Sequence, residues 1–454
     1  MNRREFLKGS MVMAGAAATG GALAAPQCAG GVCALPQTPS SAEGGDPSVP
    51  LIASAPMLQN PAPTSMGVAF AVSAMANGFV EYSESPDLAS ATKVKCGGFR
   101  VTDMNDKVML VRLTGLKPAT KYHYRIGADR ISYKGGYNMK VLGTETDPRI
   151  YSFTTAGEGA RAHFCVCNDT HVNWRSFGPV VDKIAELKPS LAIWNGDACN
   201  TQETIESQIE IFLAPKVPRK DYAAEIPFCL APGNHDQRGL ANRHLERVFM
   251  FRQPEERSSR DWDLGRNFAF RLGEVALIGL DTGEDKPDRR DVFAGLFSNE
   301  PYRVAQTAWL KDALERPDIR SAPYAVAFCH IPLFDSRPWA NPGGICDDGG
   351  GKYRHGFALW EKSCAEMWGP LLKRHGVQLL IAAHEHEYRY DAPTADRPWA
   401  QIVGGGPNLD EKNGRFQTVI DGRVDGGELK IVVHDVHHNR IVGSFAYKPR
   451  MISW

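Results

Sequence analysis

Hydrophobic and polar positions fall into two regimes along the chain. From about residue 49 to 155, short segments alternate apolar and polar residues between turn residues, at 67–72, 78–82, 108–113, 121–126 and 150–153. Alternation at period two marks strands with one buried face, and short strands at close spacing predict a small all-β sandwich. From His163 onward, apolar runs too short for helices (163–167, 191–194, 227–230, 324–329 and 377–382) alternate with segments of helical period. Val180, Val181, Ile184 and Leu187 share one helical face, as do Ile205, Ile209, Phe212 and Leu213, with Thr201 the expected N-cap. Residues 304–314 and 357–372 predict two more helices, and 268–272 with 275–280 a hairpin turning at Gly273-Glu274. Strands at 416–420, 428–434 and 441–447 close the chain, after a Gly404-Gly405-Gly406-Pro407 turn that no helix follows. The expected class is α/β, two sheets sandwiched between helices, preceded by the all-β sandwich.

Five of the apolar runs end on polar residues that carry chemistry. Asp169-Thr170-His171 follows 163–167, Gly196-Asp197 follows 191–194, Asn234-His235-Asp236 follows 227–230, His330 follows 324–329, and His384-Glu385-His386 follows 377–382. One such tripeptide means little, because turns favour Asn and Asp for conformational reasons. Five strand ends of this kind mark the edge of an α/β sheet where sites are built. Burying so many ionisable groups without a cation is prohibitive, and mixed carboxylate, imidazole and amide donors suit Zn, Fe or Mn.

The order Asp-x-His, Gly-Asp, Gly-Asn-His-Asp, His, His-x-His resembles the calcineurin-like metallophosphoesterases, over about residues 160 to 410. The resemblance implies a binuclear metal centre that hydrolyses phosphate mono- or diesters through attack by metal-bound hydroxide. In it Asp197 bridges the ions, one oxygen to each; Asp169, His171 and His386 complete the first site, and Asn234, His330 and His384 the second. His235 then donates a proton to the leaving oxygen, with Asp236 as its orienting partner. Residues 111–125, with Tyr122 or Tyr124 suited to a buried corner, resemble a fibronectin type III-like domain. Ahead of a phosphoesterase, that domain is similar to the N-terminal domain of purple acid phosphatases. Two positions depart from the pattern. Asn200 stands where purple acid phosphatases have the Tyr that colours ferric iron, so no purple band is expected, and Ala383 stands where the wider family has Gly before His-x-His.

Composition narrows the partners. Among 454 residues, 52 Lys and Arg balance 52 Asp and Glu, leaving no long-range field to gather nucleic acid or an anionic membrane. The start, Arg3-Arg4-Glu5-Phe6-Leu7-Lys8 before a Gly- and Ala-rich run and Ala22-Leu23-Ala24, resembles a twin-arginine signal, and no other stretch has the length of a membrane span. The expected organisation is a signal peptide at 1–24, a linker at 25–48, the fibronectin type III-like sandwich at 49–157 and the metallophosphoesterase domain at 158–454. The expected place is the periplasm or outside the cell, reached through the twin-arginine export machinery, with a small phosphate ester as substrate. Cys165, Cys167, Cys229 and Cys329 lie in predicted core strands as packed thiols, and Cys199 beside Asp197 is read the same way, whereas Cys28 and Cys33, across a Gly-rich tetrapeptide, are left open between free thiols and a pair formed after export. The Gly- and Asp-rich insertion at 335–356, with Tyr353, Arg354 and His355, follows His330 directly and reads as a surface loop beside the site. The competing reading is an exported binding or adhesion protein on a degenerate metallophosphoesterase scaffold, which the full set of seven ligand residues opposes. PhoD-like phosphodiesterases also join a twin-arginine signal to an N-terminal sandwich, with different metal motifs.

Overall fold

The structure, a computed structural model, describes residues 43–97, 102–251, 262–334, 358–407 and 415–451. The expected signal peptide, most of the linker, Cys28 and Cys33, and the 335–356 insertion lie outside these residues.

Two sheets face each other and carry the five strand ends. The first has nine strands in the order Arg440–Tyr447, Glu428–Asp435, Thr418–Asp425, His163–Cys167, Leu191–Trp194, Phe228–Leu230, Met57–Ala62, Ser65–Ala71 and Val108–Thr114. Its central strands His163–Cys167, Leu191–Trp194 and Phe228–Leu230 run parallel. The second has six strands, Phe268–Leu272, Val275–Leu280, Tyr324–Cys329, Leu379–Ala382, Ala400–Val403 and Arg389–Asp391, and the middle four are parallel. Parallel strands buried on both faces read as continuous apolar runs, which is the pattern the sequence shows. Phe164, Val166, Ile193 and Cys229 of the first sheet meet Phe268, Val326, Phe328 and Ile381 of the second in one core. Helices Trp174–Leu187 and Ile205–Phe212 cover the outer face of the first sheet, and Asn299–Glu315 and Ala358–Arg374 that of the second. The αββα layering expected from the sequence is the one observed.

The N-terminal module is a sandwich whose layers have different owners. One layer is a sheet of Thr92–Lys95, Ala76–Ser83, Lys121–Tyr133 and Met139–Thr146, with Tyr151–Thr154 also paired to Lys121–Tyr133. The other consists of the last three strands of the nine-stranded sheet, so the hydrogen-bonded sheet runs unbroken past residue 157. Met57–Ala62 pairs in parallel with Phe228–Leu230 at Gln59 and Phe228. Side chains reinforce this seam. Gln59, fully buried, donates to Val248 O at 3.0 Å and accepts from Met250 N at 2.9 Å. Tyr124 donates its hydroxyl to Ala224 O at 2.7 Å, while Tyr122 accepts from Lys117 N, five residues upstream, and so takes the corner position.

Several elements differ from the sequence reading, each for a local reason. Met57–Ala62 carries Gln59, Asn60 and Pro61, which hide a strand whose polar groups are satisfied at the seam. Met139–Thr146 is an edge strand with mostly exposed residues and no apolar face to signal it. The helix starting at Ile205 is capped by Thr204, whose hydroxyl accepts from Ser207 N, and not by Thr201. Among the described residues no helix is long and apolar enough to cross a membrane. All seven described cysteines are buried thiols.

Gln59→Leu leaves the buried Val248 carbonyl and Met250 amide without partners. It is expected to lower the stability of the full chain by about 2 kcal/mol, read as a shift of the urea midpoint.

Candidate metal centre

The five strand ends meet where the two sheets splay apart at the carboxyl ends of their parallel strands. At three of the five turns the backbone enters the left-handed region to aim its side chains. Asp169, His171, Asp197, His384 and His386 all have φ between 45° and 70°. Asp and His tolerate that region better than most residues, although each still carries strain. Close approach sets the glycines. A Cβ on Gly196 would lie 2.3 Å from His330 Nδ1, and one on Gly233 would lie 2.4 Å from Asp197 Oδ1.

Seven donors form two adjoining groups. Asp169, His171, Asp197 and His386 place ligand atoms within 4.8 Å of one another, and Asp197, His330 and His384 do the same. Asn234 joins the second group, its Oδ1 3.0 Å from His384 Nδ1. Asp197 Oδ2 is the shared atom, 3.5 Å from His171 Nε2 and 3.1 Å from His330 Nε2. Its other oxygen, Oδ1, accepts from His235 N at 2.9 Å. One oxygen therefore faces both groups, in place of the expected division of one oxygen to each.

The arrangement suits a cation. His330 is fully buried and donates from Nδ1 to Asn195 O at 2.9 Å, which aims Nε2 at Asp197 Oδ2, 3.1 Å away, and at Asp169 Oδ1, 3.7 Å away. Neither His330 Nε2 nor Asp169 Oδ1 makes a hydrogen bond. His171 repeats the pattern. Its Nδ1 lies 2.9 Å from Asn200 Oδ1, and its Nε2 faces His386 Nε2 at 2.9 Å. Inward-facing lone pairs, with the opposite ring nitrogens tied back, are the donor geometry a metal needs. The residues present thus fit a pair of divalent or trivalent ions.

Protonation follows the same field. Burial opposes ionisation of Asp169 and Asp197, yet the His330 imidazole beside both outweighs it and holds both carboxyls well below their usual range. His330, against its burial, is raised to about 10 by Asp197 and Asp169. His384 is lowered to about 3 by burial and by His330. A proton on His330 therefore competes with a metal for the same carboxylates.

The surrounding layer explains several residues and corrects one expectation. Asp236 does not orient His235. Its buried carboxylate accepts from the backbone N–H groups of Asp197, Ala198 and Gly233 at 2.9, 3.2 and 2.9 Å, clamping the turn that carries Asp197. Burial and the Asp197 charge raise it to about 6. His235 is held instead by Asn200 O, which accepts from Nδ1 at 2.8 Å, and its Nε2 lies 4.0 Å from Asp197 Oδ2. Asn200, at the position of the missing tyrosine, thus orients both His171 and His235. Cys199 is a packed thiol, pushed well above its ordinary value by burial. Ala383 has an unstrained φ and donates to His330 O at 2.8 Å; the left-handed turn falls on His384 instead.

Sequence reasoning missed Arg238, Glu284 and Asp285. Arg238 sets Nη1 3.1 Å from His235 Nε2 and forks onto Glu284 at 2.7 and 2.9 Å. Asp285 Oδ2 lies 3.9 Å from His384 Nε2. For Glu284 and Asp285 the one available signal was the Gly-Glu-Asp-Lys loop after an apolar strand; Arg238 had none. Gly406 was missed too, since a Cβ there would lie 2.6 Å from His386 Cβ.

The profile described as calcineurin-like phosphoesterase matches residues 162–388, a span that holds all seven donors, and that of the purple acid phosphatase N-terminal domain matches residues 55–155. No curated protein matches the sequence significantly. The chain's fold is similar to that of a purple acid phosphatase from yellow lupin (Lupinus luteus) seeds, at 13% identity and a TM-score of 0.58, over 87% of this chain and 75% of that one. It is equally similar to PhoD, at 12% identity and a TM-score of 0.58, over 88% of this chain and 92% of that one.

Gly196→Ala pushes a methyl group into His330. It is expected to weaken metal retention by roughly 10- to 100-fold against a competing chelator, with little change in far-UV circular dichroism.

Proposed function

Because the chain belongs to the calcineurin-like phosphoesterase family, we propose that it is an exported binuclear-metal enzyme hydrolysing small phosphate mono- or diesters. One observation carries the reading: buried ligand atoms of Asp169 and Asp197 converge on His330 Nε2, at 3.7 and 3.1 Å, between two groups of metal-donor side chains. Asp169, His171, Asp197 and His386 would hold one ion, and Asp197, Asn234, His330 and His384 the other, with Fe, Zn or Mn the metals these donors suit. Bound there, the ions supply Lewis-acid activation of water and of the phosphoryl group.

His235 is the catalytic residue for the leaving group. With Nδ1 donating to Asn200 O, Nε2, 3.1 Å from Arg238 Nη1 and 4.0 Å from Asp197 Oδ2, is the nitrogen left to take up or deliver a proton. Burial, with Arg238 in the same direction, lowers its pKa against the opposing pull of Asp197, so the imidazolium is a strong acid populated toward lower pH. Asn200 sets the tautomer of His171 and holds His235. The export step is argued from Arg3, Arg4, Phe6, Leu7 and Lys8.

Metal-loaded protein is expected to hydrolyse 4-nitrophenyl phosphate or its diester and to lose activity on chelation; turnover of neither by protein with two ions bound would refute the enzyme. His235→Asn should cut kcat for an alkyl phosphate by roughly 100- to 10,000-fold. The loss should be much smaller for 4-nitrophenyl phosphate, whose leaving group needs no proton, and metal content should not change. Iron-loaded protein should show no tyrosinate charge-transfer band, since Asn200 cannot supply one. Changing Arg3 and Arg4 to Lys should retain the full-length chain in the cytoplasm, read by fractionation.

A further inference from the structure

One group of buried donors stands apart from the metal centre. His163 and Cys165 lie two residues apart on strand His163–Cys167, so both point to the helix-covered outer face of the nine-stranded sheet, and Asp421 pairs directly opposite Cys165 on the neighbouring strand. One ligand atom from each of the three lies within 4.8 Å of the other two. His163 Nε2 is 2.6 Å from Asp421 Oδ1, and Cys165 Sγ is 4.0 Å from the same oxygen. The three residues are 1%, 0% and 2% exposed, in a layer otherwise made of apolar groups such as Val419, Val180 and Ile184. Two ring nitrogens in this layer have no partner: neither His163 Nδ1 nor His434 Nε2 makes a hydrogen bond, although both atoms are buried. His434 sits on the next strand, opposite Val419 and therefore on the face of Asp421. Buried polar atoms left in this way are costly, and a cation serves imidazole, carboxylate and thiol together. Arg423 Nη1, 3.6 Å from Asp421 Oδ2, belongs to a side chain 45% exposed, so Asp421 lies one side chain from water.

We propose that His163, Cys165 and Asp421, joined by His434, bind a further divalent ion of the zinc type, a structural staple across strands His163–Cys167, Thr418–Asp425 and Glu428–Asp435. Imidazole, carboxylate and thiolate together suit zinc and not Mg2+ or Ca2+, and four protein donors leave no position for a substrate. Zinc–ligand bonds of about 2.0–2.3 Å set donor atoms roughly 3.5 Å apart, a spacing that lies between the 2.6 and 4.0 Å found here. Binding releases the thiol proton of Cys165, and the Nε2 proton of His163 passes to the bare Nδ1, so the ion replaces the hydrogen bond to Asp421. Burial and the Asp421 charge hold the Cys165 thiol well above its ordinary value, so a thiolate in this layer reports the ion. His163 opens its strand, whereas Asp169 and His171 follow the strand's other end. The site is independent of the phosphoesterase reading, since the seven donors of the metal centre include no thiolate.

Cobalt(II) tests it, because thiolate bound to cobalt gives a near-ultraviolet charge-transfer band that carboxylate, amide and imidazole ligands do not. The full chain, stripped with chelator and reloaded with Co2+, should show that band and hold one ion beyond those of the metal centre, counted by elemental analysis. Cys165→Ala should abolish the band and lose one ion, with the ions of the metal centre retained. Asp421→Asn, which keeps the thiol in place and guards against a misfolded Cys165→Ala, should weaken Co2+ retention at this site by about 10-fold or more against a competing chelator. A wild type without the thiolate band, or a band that Cys165→Ala leaves in place, would overturn the staple. Either result would leave the phosphoesterase reading intact, which falls only if protein carrying two ions turns over no phosphate ester.

Discussion

Asp197 Oδ2 is the atom around which the molecule is arranged. It lies within 3.5 Å of imidazole nitrogens delivered by strands from both sheets, His171 from the first and His330 from the second. An anionic oxygen in a dry gap between sheets is costly unless positive charge meets it there. The described structure meets that requirement geometrically. Oδ1 is occupied by an amide, Asp236 pins the turn from behind, and Oδ2 is left facing both donor groups. Five of the seven donors sit in left-handed backbone, a strain of about 1–3 kcal/mol apiece that survives only where the surroundings over-determine it. Packing between Phe164, Phe328 and their neighbours supplies that determination.

Tautomers are set by the layer behind the donors. Asn195 O and Asn200 each accept from the outer nitrogen of an imidazole, which leaves the inner nitrogen bare. Asn200 serves two rings at once through two different atoms, side-chain Oδ1 for His171 and backbone O for His235. A tyrosine at this position would lose the first contact and gain a phenolate, exchanging an imidazole-orienting role for a metal-binding one. That single position therefore separates an aromatic oxygen beside the first donor group from a well-oriented His171.

What was legible in the sequence follows from what short-range pattern encodes. Strand ends are local: an apolar run that stops on Asp-Thr-His or Asn-His-Asp announces both the strand and its cargo, so the five donor blocks and the αββα layering were readable. Contacts made by small or distant residues were not. Gly406 packs under His386 only because Ala400–Val403 lies beside Leu379–Ala382, and Gly404-Gly405-Gly406 read as a plain turn. Arg238 and Glu284 are 46 residues apart, and nothing local pairs them. The resemblance implied Asp236 as the partner of His235, whereas neighbouring residues in a turn point to different sides, and Asp236 faces the backbone of the Asp197 turn.

The continuous sheet changes what the N-terminal module is for. Phe228–Leu230, three residues long, delivers Asn234, His235 and Asp236, and without Met57–Ala62 it would be an unpaired edge beside the donor cluster. Short edge strands fray, and an edge of parallel sheet exposes backbone groups that recruit other chains. Pairing with Met57–Ala62, backed by Gln59 and by Tyr124 on Ala224 O, converts that edge into sheet interior. The module therefore acts on the donor cluster through the backbone: it fixes the strand from which Asn234, His235 and the clamping carboxylate of Asp236 all emerge. A chain cut between residues 155 and 162 would lose the strand that holds those three residues in register, even though none of the seven donors lies on the removed side.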